Sequence, residues 1–135
     1  MGASLYPPPT QGIETISSGF TITDSSQFSL SAFSARRFNG VVTIRIFVSM
    51  LKTISAGATA PYNLPDIEVG TLPSGWRPAE TQMALFSTGY ADGEADVRAD
   101  GSVVVRTTNT YALRNATDGT NGVADNVQIT CTFVQ

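Results

Sequence analysis

Two stretches, "VVTIRIFVS" at residues 41–49 and "VQITCTFV" at residues 127–134, alternate apolar and polar side chains as a strand with one buried face must. In the first, Val42, Ile44, Ile46 and Val48 share one side, and Thr43, Arg45 and Ser49 share the other with Phe47. In the second, Val127, Ile129, Cys131 and Phe133 point inward and Gln128, Thr130 and Thr132 outward. A chain containing two such segments is committed to a sheet with a one-sided core.

The rest of the chain is consistent with that commitment. Phe20 and Ile22, then Phe28, Leu30 and Ala32, alternate with Ser and Thr, while Phe33 and Phe38 leave the register and predict a bulge or bend within residues 34–39. Asn39-Gly40 is a turn signal. Residues 53–68, "TISAGATAPYNLPDIE", read as a long loop with at most one short strand. In "EADVRADGSVVVRTT", a three-residue loop Ala99-Asp100-Gly101 with Gly101 left-handed would set Arg98 opposite Ser102, Val97 opposite Val103, Ala95 opposite Val105 and Glu94 opposite Arg106. A two-residue Asp-Gly loop would instead place Arg106 beside Val97, so the hydrophobic pattern selects the longer loop.

Helix formers are scarce, with Lys52 the only lysine, and the polar residues are Ser, Thr, Asn and Gly. Six to nine short strands predict an all-β fold, an antiparallel β-sandwich or jelly-roll-like small barrel. Residues 1–15, with Pro7-Pro8-Pro9, are expected to be an extended lead-in, and residues 16–135 a single domain.

Composition excludes several functions. A net charge of −3 with scattered basic residues, Arg36-Arg37 being the one adjacent pair, lacks the footprint of nucleic-acid binding. No histidine and one cysteine, Cys131, exclude Ser-His-Asp and Cys-His catalysis, disulfides within the chain and cysteine zinc clusters. No apolar run reaches membrane-span length, and no signal-peptide pattern opens the chain. No cofactor and no metal is expected, because neither Asp92-Gly93-Glu94-Ala95-Asp96 nor Asp118-Gly119-Thr120-Asn121-Gly122 completes a calcium loop.

"VGTLPSGWRPAETQMALFS" followed by "GYADGEADVRADGSVVVRTT" resembles the C-terminal head domains of tail-tip and receptor-binding proteins of tailed bacteriophages. The upstream "RRFNGVVTIRIFVS" resembles the strand that precedes this block in those proteins. The resemblance spans roughly residues 28–108 and is most specific over Gly70–Pro78 combined with Ala99–Val105. It implies a small β-sandwich or barrel head assembled as a homotrimer. It also implies a host cell-wall or surface saccharide as ligand, other virion tail proteins on the N-terminal side, and a place at the distal tail or baseplate of the virion. Residues 107–126, "TTNTYALRNATDGTNGVADN", match no part of the family pattern.

Candidate sites carry two readings each. Trp76 and Arg77 form a stacking platform with an adjacent donor, or a structural corner held by Pro73, Gly75 and Pro78. Asp92, Glu94 and Asp96 share a strand face about 6.6 Å apart per step, a spacing that overlaps the carboxylate pairs of glycoside hydrolases. Arg98 and Arg106 on the same face would keep those acids ionised, which favours a solvated hairpin face over catalysis. Tyr90, Asp92, Tyr111, Arg114, Asn115 and Asp118 are candidates for saccharide contact from loops. The expected function is non-catalytic adhesion; the alternatives are a structural virion component and, third, a glycan hydrolase.

Overall fold

A computed structural model describes residues 12–106, 110–115 and 126–135 of the chain. The fold is all-β: nine antiparallel strands in one sheet that curls into a half-barrel. In chain order they are β1 (Glu14–Ile16), β2 (Thr21–Ile22), β3 (Phe28–Phe38), β4 (Val41–Met50), β5 (Ile67–Thr71), β6 (Gln82–Ser87), β7 (Asp92–Val97), β8 (Ser102–Val105) and β9 (Asn126–Val134). Across the sheet the order is β1-β3-β4-β9-β6-β7-β8-β5-β2. One 3-10 turn, Ser74–Trp76, precedes β6. The Pro7–Pro9 lead-in lies outside the described residues, and β1 begins at Glu14.

The two strictly alternating segments become the adjacent central strands β4 and β9, paired from Val41 opposite Val134 to Ser49 opposite Asn126. Val42, Ile44, Ile46, Val48, Val127 and Ile129 are fully buried on the concave face. Curling brings the two edges of the sheet toward each other, and Phe20 ahead of β2 stacks on Phe33 of β3 with ring centroids 5.5 Å apart. Cys131 is buried against this core, and desolvation pushes its thiol above the ordinary range, which keeps it unreactive.

The β3–β4 hairpin closes through Asn39 (φ 49°) and Gly40 (φ 75°), the two left-handed residues a type I′ turn requires. The bulge in β3 corrects the sequence reading. It falls at Ser31, between the Leu30–Val48 and Ala32–Phe47 pairs, and not within residues 34–39. One extra residue there flips the parity, so Phe33 and Ala35 turn inward while Ala32 turns out to solvent. The apparent register break at Phe33 was therefore the downstream consequence of a bulge two residues earlier.

The β7–β8 hairpin has the predicted register: Ala95 faces Val105 and Val97 faces Val103, around a loop whose Gly101 has φ 92°. Asp100 accepts hydrogen bonds from the Ser102 hydroxyl at 2.7 Å and the Ser102 amide at 2.9 Å. These bonds, the hydroxyl first, hold its carboxyl below the ordinary 3.8, and Ser26 does the same for Asp24 in the turn before β3. Because the folded-state values are depressed, the stability they contribute is complete above the ordinary value and is lost as pH falls through the lowered one. Ser26→Ala combined with Ser102→Ala is expected to flatten the decline of urea-unfolding stability below about pH 4. An unchanged acid slope in the double variant would contradict this assignment.

Candidate functional site

The strand registers sort the predicted site residues to opposite ends of the half-barrel. At one end lie the Asn39-Gly40 turn, the chain terminus Gln135, the Gly101 loop and the Ser74–Trp76 turn, tied by the Gln135 amide to the Gly40 carbonyl at 2.7 Å. At the other end β4 stops at Met50, β9 starts at Asn126, and β6 and β7 are joined through residues 88–91. Trp76 and Arg77 belong to the first end; Tyr90, Asp92, Tyr111, Arg114 and Asn115 belong to the second. Asp118 lies outside the described residues.

At the first end Trp76 is only 8% exposed and joins the core, closing the concave interior from below. The Arg37 guanidinium lies over its ring, 4.5 Å from the centroid. One Arg37 terminal nitrogen donates to the Gly75 carbonyl at 2.8 Å and to Gln135 Oε1 at 2.7 Å, and the other pairs with Glu14 Oε2 at 2.7 Å. Gln135 Nε2 also donates to the Arg77 carbonyl at 2.9 Å, and Arg77 Nε donates to the Leu72 carbonyl at 2.9 Å. With one ring face under a guanidinium and the turn clamped by Arg37 of β3 and by Gln135, Trp76 here forms a corner of the fold.

The second end presents exposed polar and aromatic groups. Tyr90 and Tyr111 are 70% and 58% exposed. Their chain positions are held from below: the Thr88 hydroxyl accepts from the Tyr90 and Ala91 amides, and Ile54 and Leu113 exchange both backbone hydrogen bonds at 2.8 Å. Arg114 is exposed, whereas Asn115 is buried and donates through Nδ2 to the Met50 carbonyl at 2.8 Å, anchoring the segment. Asn115 thus supports the loops that Tyr111 and Arg114 extend from.

On the convex face beside this end, β6, β7 and β9 enclose a shallow groove of about 540 Å³ lined by Leu85, Ser87, Asp92, Glu94, Gln128 and Thr130. Its floor is Leu85, 64% exposed, which pairs with Glu94 on one side and Thr130 on the other. An apolar platform ringed by carboxylates, an amide and hydroxyls is chemistry suited to a polyol: it covers a ring face and bonds to the hydroxyls. Asp96, the third acid of the series, is drawn away from the groove by Arg106, which bridges Asp96 at 3.1 Å and Asp66 at 3.0 Å. Those two partners raise the Arg106 guanidinium further above its ordinary value.

Of these groove residues the sequence pattern picked out Asp92 and Glu94 and missed Leu85, Ser87, Gln128 and Thr130. The reason is legible in "QMALFS". Met83 and Leu85 are apolar but face outward, while Ala84 and Phe86 face inward, so the run carries no alternation by which to choose a face. Among the described residues there is no cluster of three potential metal ligands, and no helix is long and apolar enough to cross a membrane. No family model matches the chain, and no curated protein matches it.

Proposed function

We propose that this chain is a non-catalytic receptor-binding head of a tailed-bacteriophage tail tip, recognising a host cell-surface saccharide through the β6–β7–β9 groove and the loops beside it. The groove carries this reading, because it sets an exposed apolar floor among hydroxyl, amide and carboxylate groups next to Tyr90. The resemblance of Gly70–Pro78 and Ala99–Val105 to such heads supports it. In this reading the head is a homotrimer at the distal end of the virion, with other tail proteins on its N-terminal side.

A microarray of bacterial wall polysaccharides probed with the full chain tests the ligand class. Leu85→Ser and Gln128→Ala are each expected to weaken the best-bound polysaccharide about tenfold with the melting temperature unchanged. Undiminished binding by both variants would remove the groove from the proposal. Light scattering is expected to return three chains per particle, and a monomer at micromolar concentration would count against assembly.

A structural virion role is the second reading, and a specific surface favours it. Phe38, Val41 and Val134 stand opposite one another on β3, β4 and β9 and are 41%, 44% and 70% exposed, an apolar row suited to a protein contact. Particle assembly without adsorption to host walls would select it. A hydrolase reading survives only if Asp92→Asn and Glu94→Gln abolish a glycan-cleaving activity of the parent.

A further inference from the structure

The convex face also carries a second groove, of about 540 Å³, across β1, β3 and β4, on the far side of β9 from the saccharide groove. Register places six polar side chains there in a two-row grid. Thr15, Arg36 and Thr43 face one another across the three strands, and Ser34 and Arg45 form the next row with Ser17 at its β1 side. Arg36 and Arg45 are diagonal neighbours on adjacent antiparallel strands, about 7–8 Å apart at the backbone. All six are exposed.

The electrostatic feature of this grid is that its cations are unopposed. Among the described residues the ion pairs are Arg37 with Glu14 and Arg106 with Asp66 and Asp96, and neither Arg36 nor Arg45 makes an ion pair or side-chain hydrogen bond. Among the described residues the acids on the convex face of β7, Asp92, Glu94 and Asp96, sit three strands from β4. At the usual strand spacing that is about 14 Å, beyond the screening length at physiological salt. In a chain of net charge −3, two adjacent guanidiniums with no carboxylate partner among the described residues make a local positive site on an acidic background.

We propose that this grid is an oxyanion site for a phosphoryl group, with Arg36 and Arg45 as opposing forks and the hydroxyls of Ser34, Thr43 and Thr15 as further donors. A tetrahedral anion fits better than a carboxylate. One arginine fork saturates the two oxygens of a carboxylate, whereas two forks from different strands plus hydroxyls offer donors from at least three directions. Thr43 Oγ1 lies 3.1 Å from Thr132 Oγ1, so with Thr132 donating to it the Thr43 hydroxyl is left to donate outward. The site stands or falls independently of the β6–β7–β9 groove, with which it shares no residue.

The test is a proton–nitrogen NMR titration of the full chain at low ionic strength, with inorganic phosphate in one arm and a glycerol phosphodiester in the other. Saturable shifts are expected at Arg36, Arg45, Ser34 and Thr43, weakening as salt is raised. Arg36→Gln and Arg45→Gln should each weaken binding about fivefold or more, and the double variant should abolish it. Arg36→Lys with Arg45→Lys keeps the charge and removes the forks, and should recover only part of the affinity. Tighter binding of the diester marks a polymer-borne phosphate, and tighter binding of inorganic phosphate marks the free ion or a terminal monoester. Non-saturating shifts, or equal binding by the glutamine double variant, overturn the site.

Discussion

Trp76→Ala is expected to destabilise the protein by about 3–5 kcal/mol, the cost of removing a large buried aromatic whose cavity cannot collapse. The site is poorly placed to relax, because the turn that carries Trp76 is held by Arg37, Gln135 and Arg77 at once. The same change would strip Arg37 of the ring it lies on while leaving its bonds to Glu14 and Gln135 in place. Urea unfolding measures the loss. Arg37→Lys separates the contributions: a lysine keeps the charge but cannot serve the Gly75, Gln135 and Glu14 acceptors from one planar fork, so a loss of about 1–2 kcal/mol is expected. A Trp76→Ala protein of parental stability that had lost only ligand binding would reverse the assignment of Trp76 as a corner.

Gly101→Ala is expected to cost about 2–4 kcal/mol from two independent causes. Its φ of 92° lies where a side chain is strained, and a Cβ there would overlap the Nε and Cδ atoms of Arg77. Relief would require Arg77 to leave the Leu72 carbonyl, which loosens the same corner that Trp76 closes. The Leu72 amide already donates to the Gly101 carbonyl at 2.9 Å, so hairpin loop and corner are one packed unit. If the double variant Gly101→Ala with Arg77→Ala is more stable than the sum of the single losses, the steric cause is confirmed; strict additivity would leave backbone strain alone.

That unit explains why the Gly70–Pro78 and Ala99–Val105 segments are informative together and weak apart. Each has a local logic of prolines, a glycine or a turn. The glycine at 101 has a second reason that involves Arg77, 24 positions earlier in the chain, and no local rule contains it. The same limit governed β3. Alternation from Phe28 and the stray Phe33 both announced a break, but only pairing with β4 located it at Ser31, because a bulge is defined by the partner strand.

The local patterns determined a good deal. Strict period-2 segments specified the buried faces of β4 and β9, Asn39-Gly40 specified a tight hairpin, and the requirement to keep apolar side chains on one face specified the β7–β8 register. Each of these is decided within a few residues, where backbone geometry and one-sided burial leave a single solution. Tertiary structure decided the rest. It set Trp76 under Arg37, separated it from Tyr90 and Tyr111, turned Leu85 outward to floor a groove, and placed Arg36 diagonally beside Arg45 with no ion-pair partner among the described residues. Those juxtapositions depend on strand order and on how far the sheet curls, which are properties of long-range pairing that no single segment encodes.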